Sequence, residues 1–225
     1  DVPYTGTFDG KVYTISGLYF NNPTSYYVGL FGCIGADGKI SNVGVLDSYF
    51  QFGAQGGGVC GVNYGELQNC SNSSTVIGNQ YKGKGGVCGD NGDINIKGTV
   101  RNCKNTGSVR GPAPLGGVCG VNNSGIIENC FNEGTVSVTV TSANVGGVCG
   151  NNYSGTIKCS YNTASVSGQS YVGGVSGANY YGTITNCFNE GTVSGQEYFG
   201  GVCGAKYGGT IKNYYYNSDT DIGGI

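Results

Sequence analysis

The chain has 225 residues, 11 basic and 13 acidic side chains for a formal net charge of −2, no histidine, 46 glycines, 4 prolines and 11 cysteines. The charges are scattered singly, which leaves no basic stripe for nucleic acid, and no window approaches the roughly 18 consecutive apolar residues of a membrane-spanning helix. Collagen is excluded because there is no Gly-X-Y triplet, and disorder because 18 tyrosines and 8 phenylalanines supply bulk for a core.

Residues 1–26 are not a standard repeat. Thr7 to Tyr19 reads as two short alternating strands around the Asp9-Gly10 turn, a hairpin signal, and the segment is expected to be an N-terminal cap or first coil. With no initial Met and no charged-then-apolar leader, Asp1 is expected to follow a removed signal peptide. From residue 27 to residue 213 the chain repeats. Gly57-Gly58-Val59-Cys60-Gly61 returns around Val87, Val118, Val148, Val175 and Val202, at intervals of 28, 31, 30, 27 and 27 residues. After each copy come an Asn-rich turn, a β-branched run, Asn-Cys, a second Asn and a Thr-Val or Ser-Val pair. Strands of about 4 to 6 residues between Gly and Asn, without helical periodicity, predict one solenoid coil per repeat, about seven coils in a single all-β domain. Residues 214–225 break the repeat and form an end segment.

The earliest copy carries a resemblance. Gly29-Leu30-Phe31-Gly32 is Gly-Leu-hydrophobic-Gly to the letter, and the lead-in from Phe8-Asp9-Gly10 to Ile15-Ser16-Gly17-Leu18-Tyr19 is similar to the segment that precedes such repeats. The chain thus resembles the GLUG-motif repeat proteins over nearly its whole length. The resemblance implies a parallel β-helix and a life at the bacterial surface or in secretion. In that family the repeats occur in adhesin-like proteins and in immunoglobulin-A-cleaving metallopeptidases, outside the catalytic part. Without a histidine this chain cannot build the zinc motif of those peptidases.

Stacking coils about 4.8 Å apart turns each repeat position into a column. One is Asn72, Asn105, Asn132, Asn162, Asn189 and Asn217; another is Asn69, Asn102, Asn129, Asn186 and Asn213. Both read as structural ladders. The cysteines lack the close Cys-x-x-Cys spacing of zinc sites, so disulfides and an oxidising compartment are expected. Column one is Phe31, Cys60, Cys88, Cys119, Cys149, Ser176 and Cys203; column two is Val43, Cys70, Cys103, Cys130, Ser160, Cys187 and Tyr214. Pairing column one of a coil with column two of the next sets Ser176 against Tyr214 and gives Cys33 to Cys70, Cys60 to Cys103, Cys88 to Cys130, Cys119 to Cys159 and Cys149 to Cys187, with Cys203 unpaired. Pairing within each coil is the alternative. Cys33 and Cys159 lie off their slots, so the first scheme needs local bulges there.

Chemistry is sparse. Glu133 and Glu190 occupy one turn two coils apart, too far for an acid-base pair, so no catalytic residue, cofactor or metal is expected. Thr75, Thr99, Thr135 and Thr192 form a partial threonine column. Asn72, Asn122 and Asn152 stand in Asn-x-Ser sequons and are candidate glycosylation sites. The ends carry the remaining signal: Val12, Tyr13 and Ile15 at one, Tyr214, Tyr215, Tyr216, Ile222 and Ile225 at the other, where a bare strand edge accepts another chain. The expected function is an extracellular structural or adhesive solenoid, secreted or at the cell surface, whose partner is a second copy in a filament, or a host or cell-surface protein or glycan. The alternative is a carbohydrate-binding or carbohydrate-active β-helix.

Overall fold

A computed structural model describes residues 2–112, 114–138 and 144–217. Each repeat makes one turn of a parallel β-solenoid. The turns stack into a 19-stranded sheet, a 7-stranded sheet and a 5-stranded sheet, and every pairing between named strands is parallel. In the 7-stranded sheet the register is kept from coil to coil: Cys60 pairs with Cys88, Cys88 with Cys119, and Cys119 with Cys149. The same residue type at the same position keeps one face apolar throughout, because a one-residue slip would turn the whole set outward.

The core is a set of columns. Val59, Val87, Val118, Val148, Val175 and Val202 are fully buried, as are Ile40, Leu67, Val100, Ile127, Ile157 and Ile184 on the long sheet. The Gly-Gly before each of these valines has a packing cause. A Cβ on Gly117 would lie 2.1 Å from Asn132 Cγ and 2.1 Å from the Gly147 carbonyl oxygen, so the backbone must run bare past the ladder. Gly117→Ala is expected to destabilise the fold by about 3 kcal/mol, since the obstruction is backbone and a hydrogen-bonded amide, neither of which can swing away. A urea-unfolding midpoint unchanged from the parent protein would contradict that account.

The corners are made by left-handed residues. Asn42, Asn69, Asn102, Asn129, Asn186 and Asn213 all have φ between 52° and 54°, a conformation that asparagine tolerates and most residues avoid. The expected second asparagine column is therefore a corner column, and Asn42 extends it by one coil. Asn42 donates to Asp9 at 2.9 Å and Asn69 to Asn42 at 2.9 Å. Asp9 also takes a hydrogen bond and ion pair from Lys11, which hold its carboxyl well below the usual range.

Residues 1–26 differ from the hairpin reading. Thr7–Asp9, Thr14–Ser16 and Tyr19–Asn22 do not pair with one another; each pairs in parallel with Lys39–Ser41 or Gly44–Phe52 of the next coil. The Asp9-Gly10 step is a solenoid corner, continued through Lys11 and Val12 at φ of 53° and 61°. An Asp-Gly turn joins an antiparallel pair only when its flanking strands find each other, and here both find the second coil. The threonine column is also redrawn. Val76, Val109 and Val136 are in register, which places Ser108 between Thr75 and Thr135, while Thr99 pairs with Glu66 and Ile126 in a different column.

Candidate functional site

Three interior or corner ladders set the surface that remains for function. The expected column runs Asn72 to Asn105 to Asn132 to Asn162 to Asn189, each side-chain Nδ2 donating to the next Oδ1 at 2.7 to 2.9 Å. All five are fully buried. A second buried ladder, not singled out from the sequence, runs Asn63 to Asn91 to Asn122 to Asn152 to Asn179 at 2.7 to 2.9 Å. Its signal was present, since each of these asparagines lies three residues after a column-one Cys or Ser.

These ladders overturn the sequon reading. Asn72, Asn122 and Asn152 have no exposed surface, and the nitrogen that would carry a glycan donates to the next asparagine. The folded coil has no room for a sugar on it.

No two of the eleven cysteines are bonded to each other in this structure. The cross-column bridges expected from the sequence are not formed, and the sulfur contacts run along the columns instead: Cys60 Sγ lies 3.4 Å from Cys88 Sγ, and the Cys103 amide donates to Cys130 Sγ at 3.4 Å. Cys159 takes the left-handed corner slot, with φ of 50°, and is exposed, whereas its expected partner Cys119 is fully buried. A corner residue turns its side chain away from the core, which separates that pair. Cys33 is half-buried in register with Val62, and Cys70, Cys149, Cys187 and Cys203 are interior. Burial pushes the Cys88, Cys119 and Cys149 thiols well above their ordinary value. Ser176 and Ser160 occupy two of the slots and donate to the carbonyl two residues away, as the neighbouring thiols do.

The outer face of the long sheet carries an alternating charge ribbon. Lys39 to Glu66 is 3.9 Å, Arg101 to Glu66 3.8 Å, Arg101 to Glu128 3.0 Å and Lys158 to Glu128 2.9 Å. The Lys158 hydrogen bond, with that of Arg101, holds Glu128 below the usual carboxylate range. Glu133 and Glu190 share one corner position with Thr163 between them, and Glu133 is paired with Lys104 at 2.9 Å. Among the described residues no group of three metal-ligating side chains is placed to hold an ion.

Aromatic rings crowd the later coils. Tyr153, Tyr180 and Tyr207 stack at 4.6 and 4.7 Å, and Tyr171 stacks on Tyr198 at 5.0 Å. Stacking consumes ring faces, so this cluster presents edges and hydroxyls; the open surface is on Tyr181, Tyr198 and Tyr207, exposed to 74%, 60% and 45%.

Both ends are bare edges among the described residues. Thr7–Asp9, Thr14–Ser16 and Tyr19–Asn22 pair on one side only, as does Thr210–Tyr216 at the other end. Val12 and Tyr13 are exposed and Ile15 is partly buried against the core; Tyr214 and Tyr215 are exposed, and Tyr216 covers Gly201. Ile222 and Ile225 lie outside the described residues.

The coil entered through Gly174-Val175-Ser176-Gly177, in register with Cys149 and Cys203, decides the repeat type. Residues 168–194 match the GLUG motif. The literal Gly29-Leu30-Phe31-Gly32 occupies the same slot, since Phe31 pairs with Cys60. The GLUG repeat accounts for one coil, and the register carries the pattern through the stack. Among curated proteins, the chain is 35% identical over 80 residues to halomucin of Haloquadratum walsbyi, covering 36% of this chain and 1% of that protein. It is also 35% identical over 71 residues to a protein of Evansella cellulosilytica named, provisionally, a Gly-rich membrane protein, covering 30% of this chain and 8% of the relative. The chain thus spans a small part of the curated relatives it matches. A solved structure from Bacteroides ovatus, provisionally assigned as an immunoglobulin A1 protease, superposes with a TM-score of 0.64 over 94% of this chain and 69% of its own, at 22% identity. That likeness shows the fold alone. Among the described residues no helix is long and apolar enough to cross a membrane.

Proposed function

We propose that this chain is an extracellular structural or adhesive β-solenoid that associates end to end. The observation that carries the reading is the pair of parallel strand edges that have no partner among the described residues. Continuing the columns past the last coil puts Thr7–Asp9 of a second copy over Thr210, Ile211 and Lys212. Phe8 of the second copy then continues the apolar column that runs from Phe8 and Ile40 to Ile211 in the first, Ile15 falls over Tyr216, and Asp9 meets Lys212. A head-to-tail contact of this kind is heterologous and does not close, so it generates filaments. The relatives' names, a halomucin and a membrane protein, agree with a surface location.

Electron microscopy across a dilution series tests it. Fibres with an axial repeat of roughly 38 Å, eight layers at the strand spacing, are expected, and Lys212→Glu should shorten them by placing like charges at the junction. Isolated short rods at every concentration would sink the filament reading. A second reading, contact with glycans, is favoured only by exposed Tyr181, Tyr198 and Tyr207; Tyr198→Ala with loss of binding on a glycan array, and no effect on fibre length, would select it.

A further inference from the structure

We propose that the interior cysteine columns are sites of disulfide formation along the stack, joining the same position in successive coils rather than one column to the other. Column one holds four in-register cysteines, Cys60, Cys88, Cys119 and Cys149, before Ser176 interrupts it. In-register residues of parallel neighbours have Cα atoms about 4.8 Å apart, inside the roughly 4.4 to 6.8 Å that a disulfide spans. Cys60 and Cys88 already have sulfurs 3.4 Å apart, so a bond of about 2.05 Å requires side-chain rotation and a small approach of two strands. Four positions give two bridges, Cys60 to Cys88 and Cys119 to Cys149; bridging the central pair instead strands both outer thiols. Column two has Cys70, Cys103 and Cys130 before Ser160, which gives one bridge from Cys103 to either neighbour. Cys187 and Cys203 have no cysteine next to them in their columns, and Cys159 lies on the outer corner.

Each bridge removes two protons and two electrons from a pair of thiols. A small-molecule disulfide such as oxidised glutathione accepts both: a cysteine thiolate attacks it, one glutathione thiol leaves, and the second cysteine displaces the other. The column sulfurs have essentially no exposed surface in the folded coil, so exchange takes place while coils are being laid down. Burial afterwards shields a formed bridge from reductant and an unformed one from oxidant. The competing account is a ladder of small buried thiols, each donating to a carbonyl two residues away, as Cys119 does to Val121 at 3.1 Å.

Refolding the denatured, reduced chain with a glutathione redox mixture decides between them. The product is then denatured, alkylated, cut after Lys, Arg and Glu, and its linked peptides are identified by mass spectrometry. The expected result is six cysteines bridged and five alkylated, with Cys60 linked to Cys88 and Cys119 to Cys149. Cys60→Ser should re-pair the column, linking Cys88 to Cys119 or leaving Cys88 free beside an intact Cys119 to Cys149 bridge, and never sending Cys88 to Cys130. Each closed loop of about 27 to 33 residues should slow loss of protease resistance on denaturation by about a hundredfold against the reduced protein. Eleven alkylated thiols after oxidative refolding, or bridges between the two columns, would overturn the proposal. Because the readout is intramolecular, it is independent of whether the ends associate.

Discussion

Lys84→Leu should stabilise the protein at neutral pH by about 3 kcal/mol, an unusual outcome for a core substitution. Lys84 has no exposed surface, and it stands in an inward column whose next members are Leu115, Val145 and Val172. Its stem runs over Gly78, where a Cβ would lie 2.0 Å from Lys84 Cδ, and its ammonium donates to the Gln80 carbonyl oxygen. Burial lowers its pKa to about 7, with Asp90 opposing the shift. Asp90, itself pushed up to about 6 by burial, is also faced by Gln55 and Lys82. The unfolded lysine titrates near 10.4, so below pH 7 both states are protonated and the folded state bears the whole desolvation cost. Between pH 7 and about 10.4 the folded amine is neutral while the unfolded one still holds its proton, and the cost is relieved. A shift of that size is worth about 5 kcal/mol, of which the shorter leucine returns about 1 kcal/mol as empty space and the lost hydrogen bond to the Gln80 carbonyl about 1 kcal/mol more. The parent's deficit relative to Lys84→Leu should therefore shrink as pH rises from 7 to 10. Taking the difference between the two proteins cancels the buried cysteines, whose raised values act in the opposite direction. Urea-unfolding free energies that stay a constant distance apart over that range would show that Lys84 does not titrate in the core.

Asn132→Ala should be the most damaging single change on the long sheet, lowering stability by about 4 kcal/mol, while Asn129→Ala three residues earlier should cost about 1 kcal/mol. Asn132 accepts from Asn105, donates to Asn162 at 2.7 Å, donates to the Gly134 carbonyl at 2.7 Å and accepts from the Gly134 amide at 3.2 Å. Alanine removes all four hydrogen bonds at a fully buried position, and a buried polar group left unsatisfied costs about 1 to 3 kcal/mol. Asn129 is an exposed corner residue whose contribution is its tolerance of φ near 52°, so only the conformational preference is lost. Equal unfolding midpoints for the two variants would mean that the interior ladder contributes no more than the corner.

Much of this architecture was legible because a solenoid repeats one local decision. The near-constant spacing of Val59 through Val202 announced the coil, and asparagine before every column-two slot except Ser160 announced a left-handed corner, which the φ values of Asn69, Asn102 and Asn186 bear out. Glu133 and Glu190 fell on one corner two coils apart, as counted from sequence. Counting failed where the chain adds residues between columns. The segment between Asn91 and Thr99 is five residues longer than that between Asn63 and Glu66, and so Thr99 left the column assigned to it.

The remaining features belong to neighbouring coils and not to any stretch of chain. Alternation within a strand says which residues share a face, but not whether another coil covers it. The Asn-x-Ser sequons of Asn72, Asn122 and Asn152 look like surface turns until the next coil closes over them and takes their Nδ2 hydrogen. Thr7–Asp9 and Thr14–Ser16 look like a hairpin until a second coil offers each a parallel partner. The cysteines form two columns in the sequence, and only stacking decides that Cys60 meets Cys88 along a column. The repeat period determined the coil, because each strand and corner is a local preference written out again every 27 to 31 residues. Stacking decided burial, sulfur proximity and free edges, because those depend on what lies about 4.8 Å above and below.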